Sequence, residues 1–561
     1  MLMTMINWIY AGFTILMLGF GVEAFVEKLF HYRIKKLDSI LMAGLIVAMV
    51  YAQIFSLFYR VSMAANVVLL IGCLGILIGR RRAIVTTLRE WKFSTGITGK
   101  LSLLVLFVLW AFFTSRGYIH YDTDLYHAQS IRWLEEYGIV PGLGNLHERF
   151  AYNSSFFALS ALYSLKFVLG ESMHTMNGFI ALILSITCLP IVNSWKNKQF
   201  GLADYARIGA IYYLMVIMDE VVSPASDYAV MMVIFFIVIK WLDALKEDSR
   251  TIAPFALLCV AGVYALTLKL TAGLILILLI KPAYMLIKQK RIKEILIYLG
   301  MGLLVAVPWF ARTVLISGWL LYPFTALDLF HVDWKMDAAL IDVDSMQIKV
   351  WGRALYDIGL IDTPITGWFP NWFMSTLTGM EKLLIIGALA AAAATILIAI
   401  VIVLGRRFRH LEALLVMVTM LCSYAFWQTS APLMRYGYAY VLLLALVVFG
   451  WCMNVLLAYK DGTKRSFKKV CHRTVYAAFL VYGIYKAFMV VDYFGSCYLS
   501  NCYIWQEDYG TYELESYEVN GVTFYYPVVG DRTGYDYFPA SIAKVDLEFR
   551  GETIEEGFRR N

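Results

Sequence analysis

From Leu383 to Leu404 the chain carries no charged side chain, and apolar runs of similar length recur along it, beginning with Met5 to Phe25. About 20 apolar residues are enough to cross the hydrocarbon core of a bilayer as a helix. In hydrocarbon only helices and closed barrels satisfy their own backbone groups. These runs are rich in Leu, Ile, Val, Ala and Gly and do not alternate as barrel strands do. The composition agrees: 561 residues, 60% hydrophobic and 16% charged, against about a quarter charged in soluble domains. The sequence therefore predicts an all-α polytopic membrane protein. The first run lacks the basic start of a secretory signal and reads as a retained span. The net charge of +7 belongs to basic loops, and no nucleic-acid partner is expected.

Lys and Arg in short loops favour the cytoplasmic side. The basic segments are Lys28 to Lys36, Arg80 to Arg82, Lys196 to Arg207, Lys246 to Arg250, Lys288 to Lys293, Arg406 to Arg409 and Lys460 to Lys469. Placing all of them inside leaves about fourteen transmembrane helices of roughly 15–23 residues. They lie near 5–27, 38–58, 61–79, 101–115, 176–194, 207–220, 228–243, 253–268, 270–287, 293–312, 380–404, 411–428, 436–457 and 471–491. The run Asn153 to Gly170 breaks the alternation, so it is expected to lie in the outer leaflet without crossing. Asp124 to Tyr137, with Leu125, Ala128, Ile131 and Leu134 at three-residue spacing, reads as a companion juxtamembrane helix.

Three regions follow: additional N-terminal helices over 1–100, a transmembrane core over 101–492 with outer loops 116–175 and 313–379, and an extracytoplasmic cap over 493–561. The cap is acidic and Tyr-rich, and Val522 to Val529, bounded by Asn520-Gly521 and Gly530-Asp531, is strand-like. Small and β-rich, it is too short for a large core of its own. Cys497 and Cys502 are close enough in sequence to form a disulfide or to remain two thiols.

The polar stretch Tyr118 to Tyr152 is where water-soluble chemistry could be done at a bilayer surface. It holds Asp122, Asp124, His120, His127 and Tyr126. Other ionisable groups beside apolar runs fall on the same predicted face: Asp227, Lys269, Arg312 and Arg435. Charge at membrane depth is costly and points to function. Sugar transfer from a lipid phosphate needs a base near the attacking hydroxyl, which a carboxylate supplies. It also needs cations on the leaving phosphate, where Arg binds bidentately and Lys as a point charge. Asp122 or Asp124 fits the first role, with Asp122 favoured because it lies before the helix; Lys269, Arg312 and Arg435 fit the second. The competing readings are plain: Asp122 as a helix cap, Lys269 snorkelling, and the arginines paired with Asp227 or Glu220. His120, Asp122, Asp124 and His127 are the set that could hold a divalent metal.

Asp122-Thr123-Asp124 on the first large outer loop, followed by Pro308, Trp309, Arg312, Ser317, Gly318, Tyr322 and Pro323, resembles the GT-C superfamily. These are membrane glycosyltransferases that use polyprenyl-phosphate sugars, and the likeness is to bacterial multi-pass members. The resemblance covers about 100 to 460 and implies a catalytic acid on the first loop, a polyprenyl-phosphate-linked sugar donor and a lipid or glycan acceptor. It implies a bacterial inner-membrane enzyme of envelope or surface polysaccharide synthesis, with the active loop and C-terminus extracytoplasmic. No cofactor is required, since only some relatives use a metal. About three spans precede the catalytic-type loop where many relatives have one, which leaves donor and acceptor open. The alternatives are a transporter or flippase of lipid-linked sugars, which favours midplane charges on broken helices, or a non-catalytic envelope assembly protein.

Overall fold

A computed structural model describes residues 1–94, 96–197, 199–405, 410–457, 462–497 and 501–560. Before the polar loop stand α1 (Leu2–Phe30), α2 (Leu37–Ser56), α3 (Met63–Ser94) and α4 (Ile97–Ser115). The loop region contains α5 (Ala128–Glu136), α6 (Ser155–Leu162) and α7 (Lys166–Leu169). Then come α8 (Met176–Cys188), α9 (Ile191–Lys196), α10 (Leu202–Val216), α11 (Ser226–Asp248), α12 (Ala253–Leu268), α13 (Ile280–Lys288) and α14 (Ile292–Ser317). The last set is α15 (Ala338–Gly352), α16 (Ile365–Ser375), α17 (Gly379–Leu404), α18 (Leu411–Thr429), α19 (Tyr438–Leu457) and α20 (Gly462–Cys497).

Among the described residues, 11 helical segments are long and apolar enough to cross a membrane. Helices also occupy the other expected span positions. Two of them, α10 and α12, are shorter, at 15 and 16 residues, and much of the α20 side-chain surface lies outside the described residues. The basic segments 406–409 and 460–461 lie outside them too. The predicted span over 270–287 is not uniform: it opens as a tight 3-10 helix, Leu270–Leu279, and only then becomes α13.

The centre of the bundle is α11. Tyr228 through Ile239 are all buried, as expected of a helix apolar on every face, and it packs against α8, α10 and α12. At the other flank α1 and α2 lie nearly backbone to backbone. A Cβ at Gly44 would sit 1.8 Å from the Ile15 carbonyl oxygen, so only glycine permits that approach.

Around the polar loop the structure departs from the expectation in one respect. The first part of the run after Asn153 is covered by protein and not left to lipid, whereas its end, α7, has no buried residue. Eight residues of it form α6, about 12 Å long, and every one is buried, packed against α2, α5, α11 and α12. Its apolar character serves protein packing.

The tail forms two antiparallel pairs, β1 (Leu514–Val519) with β2 (Val522–Pro527) and β3 (Leu547–Phe549) with β4 (Phe558–Arg560). Asn520 and Gly521 both take positive φ, 50° and 77°, the two-residue turn that matches strand twist. The cap has no separate core. Phe524, Phe549 and Phe558 share one with Trp133, Val140 and Phe150 of the polar loop and with Trp319 and Ile341. The Phe558 amide donates to the Pro141 carbonyl at 2.9 Å. Cys502 is disulfide-bonded; the Cys497 side chain lies outside the described residues.

Because loop and cap are one body, they must face the same side of a membrane. Cysteines introduced at the exposed positions Glu171 and Glu515 should both react with an impermeant thiol reagent added outside intact cells, and one at Lys290 should not. Opposite labelling of Glu171 and Glu515 would break this arrangement.

Candidate functional site

At the ends of the spans the chain is forced out of regular helix in three places, and each exposes a charged side chain. The backbone at Lys269 is extended, with φ −155° and ψ 125°, between α12 and the 3-10 segment. Arg435 lies in a short 3-10 turn, Met434–Tyr436, between α18 and α19. Asp122 precedes a single π-helical turn, Thr123–His127, which leads into α5. Such turns are rare and are frequent at functional sites. Asp227, in the first turn of α11, completes the group from the central helix.

These four side chains form one ion network. Arg435 donates to Asp122 Oδ2 at 2.6 Å and to the Tyr436 hydroxyl at 2.7 Å. Its Nε lies 3.7 Å from Asp227 Oδ2. Lys269 pairs with the other Asp227 oxygen, and its ammonium sits 3.1 Å above the centre of the Tyr436 ring. His120 also meets the Arg435 guanidinium, and its backbone amide is held by Ser223 Oγ at 2.7 Å. Arg435 and Lys269 each keep 23% of their side-chain surface open, so a ligand can reach the two cations. With both imidazoles neutral, two cations balance two carboxylates.

Burial alone would raise the Asp122 carboxyl. The charges around it, Arg435 first and then His127, His120 and Arg149, together outweigh burial and bring the pKa down to about 2. Asp122 is thus ionised throughout the physiological range. It makes no capping bond to the helix that follows, so the capping role open to it in the sequence is not used. Asp124, two residues on, points elsewhere. Its Oδ2 accepts from the Tyr512 hydroxyl at 2.7 Å, and its carbonyl accepts from the Thr533 and Gly534 amides at 3.0 and 2.9 Å. Burial raises its pKa. Asp124 ties the cap to the loop.

His127 lies in the same turn, 1% exposed, stacked edge-on to Tyr126 with ring centres 4.3 Å apart. Tyr126 is half-buried against the same wall. The four residues that could have held a metal do not converge. His120 Nδ1 and Asp122 Oδ2 approach to 3.7 Å, but the Arg435 guanidinium occupies both, and Asp124 is turned to the cap. Among the described residues no group of three or more His, Cys, Asp or Glu is arranged to hold a metal ion.

Arg312 does not join the network. It is 4% exposed and donates to Ser56 Oγ at 2.6 Å, Asn153 Oδ1 at 3.2 Å and the Gly138 carbonyl at 3.3 Å. Trp309 Nε1 donates to the Asn153 carbonyl at 2.8 Å. The Pro308-Trp309...Arg312 stretch therefore ties the middle of the polar loop, at Gly138, to the residue that follows it, Asn153, and to the end of α2. Asn153 itself holds a left-handed conformation, φ 34°, which these bonds hold in place. Ser317 and Gly318 finish the job: Gly318, at φ 79°, ends α14 where a Cβ would strike Lys335.

Arg149, Asp344 and Tyr436 escape the sequence reading. Arg149 bonds Asp344 at 3.0 Å, and Tyr152 donates to the same carboxylate at 2.7 Å. Asp344 comes from α15 in the 313–379 loop, and nothing in its spacing announces an encounter with Arg149. Tyr436 had one available signal, its place beside Arg435 at a span end.

A family model described as "Domain of unknown function (DUF8201)" matches residues 1–442. The match takes in every member of the ion network and stops before the cap. Neither the curated proteins nor the solved structures compared with the chain gave a match.

Two buried imidazoles make stability depend on pH. Burial pushes His127 down to about 3, and His174, also 1% exposed, down to about 3, against about 6.5 when unfolded. Between those values the unfolded chain binds more protons, so stability rises with pH there and is lost as pH falls below about 6.5. Each should cost about 2 kcal/mol at pH 5. Thermal melting of detergent-solubilised protein from pH 7 to 4 should show this decline, with a shallower slope in His127→Gln and in His174→Gln. Parallel slopes in all three proteins would contradict it.

Proposed function

The chain belongs to the DUF8201 family, and from the ion network at its loop we propose that it is an integral membrane glycosyltransferase. It would move a sugar from a polyprenyl-phosphate donor to a hydroxyl of a lipid or glycan acceptor. One observation carries the reading: an ionised, partly accessible Asp122 held directly against Arg435, with Lys269 on the adjoining Asp227.

The steps use these groups as follows. The donor phosphate competes with Asp122 for Arg435, whose planar fork takes two phosphate oxygens, while Lys269 adds a point charge. Asp122, released from its guanidinium, regains basicity and accepts the proton of the acceptor hydroxyl. That oxygen bonds to the anomeric carbon as the bond from this carbon to the phosphate oxygen breaks. The polyprenyl phosphate leaves with the electron pair, neutralised by Arg435 and Lys269. Asp227 keeps both cations in place. Arg312 has no part in this scheme, because its donors are committed to the loop. An extracytoplasmic face of a bacterial inner membrane suits such a donor, and the basic-loop pattern supports that orientation.

Asp122→Asn removes the base and should lower transfer about 100- to 10,000-fold with little loss of protein. Asp124→Asn keeps an acceptor for Tyr512 and should stay near wild type, whereas Asp124→Ala should lower the melting temperature. The measurement is sugar release from a polyprenyl-phosphate sugar by purified variants, alongside their melting curves. Wild-type turnover in Asp122→Asn would overturn Asp122 as the base, and absence of sugar release by the wild-type protein would overturn the enzyme reading and favour a transporter.

A further inference from the structure

A cavity of about 720 Å³ lies far from the ion network. The ligand pockets of proteins run about 300–1,000 Å³. Its position follows from α11: Asp227 stands in the first turn of that helix, and the cavity is bounded by Asp243 and Glu247 near its last. Sixteen to twenty residues of helix separate them, roughly 24–30 Å.

One wall is the face of α2 made by Ser39, Met42, Ala43, Ile46, Val47 and Val50. The spacing is that of a single helical stripe, and it runs about 16 Å at 1.5 Å per residue. Half of a ~30 Å hydrocarbon core is about the same depth. The deep part is entirely apolar, closed by Leu18, Ile76 and Val260. Phe25 and Leu304, also on the lining, are 46% and 58% exposed, on helices that span the bilayer, so the groove has apolar lips toward lipid.

The mouth is different. Arg33, Lys35, Lys36 and Lys240 line it with Asp243, Glu247 and Asp248. Most of these are already matched. Lys36 pairs with Glu247 at 2.6 Å, Lys240 with Asp38 at 3.0 Å, Asp243 with Arg207 at 2.5 Å, and Arg33 with Glu23 at 3.5 Å. Asp248 accepts from its own chain, at the Arg250 amide and the Thr251 hydroxyl. Lys35 is exposed and makes no ion pair with a described residue.

We propose that this groove holds one glycerophospholipid with an anionic headgroup, its acyl chain along α2 and its phosphate at Lys35. A groove of one leaflet's depth, apolar within, open sideways and with an unmatched cation at headgroup level, has the polarity profile of that molecule. The chemistry is distinct from the ion network at the other end, and the lipid is bound, not consumed.

The full chain, purified in mild detergent, is to be titrated with palmitoyl-oleoyl phosphatidylglycerol and, separately, with the phosphatidylcholine of identical chains, and read by native mass spectrometry. One phosphatidylglycerol per chain should be retained in preference to phosphatidylcholine. Lys35→Gln should cut that preference about fivefold, the worth of one lysine at a headgroup. Val47→Trp, which fills the groove, should abolish retention. Lys35→Gln alters an exposed, unpaired side chain and keeps the test decisive even if Val47→Trp does not fold. Equal retention of the two lipids, unchanged preference in Lys35→Gln, full retention in a folded Val47→Trp, or displacement by glycerol 3-phosphate alone would each overturn the proposal.

Discussion

Removing a charge from water without a partner costs several kcal/mol, and this constraint organises the molecule. Within the bundle, ionised side chains come in matched sets: Asp38 with Lys240, Arg207 between Asp204 and Asp243, Glu23 with Arg80. These sets lie toward one end of the helices. At the other end, Asp122, Asp227, Lys269 and Arg435 form a further set, itself partly open to solvent. Arg312 is the instructive exception. Among the described residues no carboxylate pairs with it, and its charge is solvated by neutral oxygens of Ser56, Asn153 and Gly138. An arginine so placed draws three separate chain segments around itself, and the polar loop is the result.

The two neighbouring aspartates show how local backbone decides chemistry. A regular α-helix would place Asp122 and Asp124 about 200° apart around the axis, and here too they diverge, Asp122 just before the π turn and Asp124 within it. One therefore faces the cations and is driven strongly acidic; the other faces the tail and is made a weaker acid by burial. The same side-chain chemistry yields an ionised carboxylate in one place and a hydrogen-bonded strut in the other.

Helix positions were legible in the sequence because hydropathy over about 20 residues is a strong signal, and the Asn520-Gly521 hairpin because few residues tolerate that turn. Asp122, Asp227, Lys269 and Arg435 stood out as charge beside apolar runs, and they do meet. Arg312 carried the same signal and does not meet them, since hydropathy registers that a charge is buried and says nothing of what satisfies it. The fate of Ser155–Leu162 was hidden for a related reason: an apolar segment reads the same whether lipid or protein covers it. Asp344 and Tyr512 reach the loop from distant segments, and tertiary encounters of that kind leave no periodicity behind.

The shared core of loop and tail also bears on how the molecule is made. Trp133 and Phe150 emerge well before Phe524, Phe549 and Phe558, which cover them. Until the tail has arrived, an aromatic surface beside the candidate site stays uncovered, and Asp124 lacks the amides that bind its carbonyl. A chain interrupted before Phe524 would present an unfinished, sticky loop surface, which marks it as defective to any machinery that recognises exposed apolar surface.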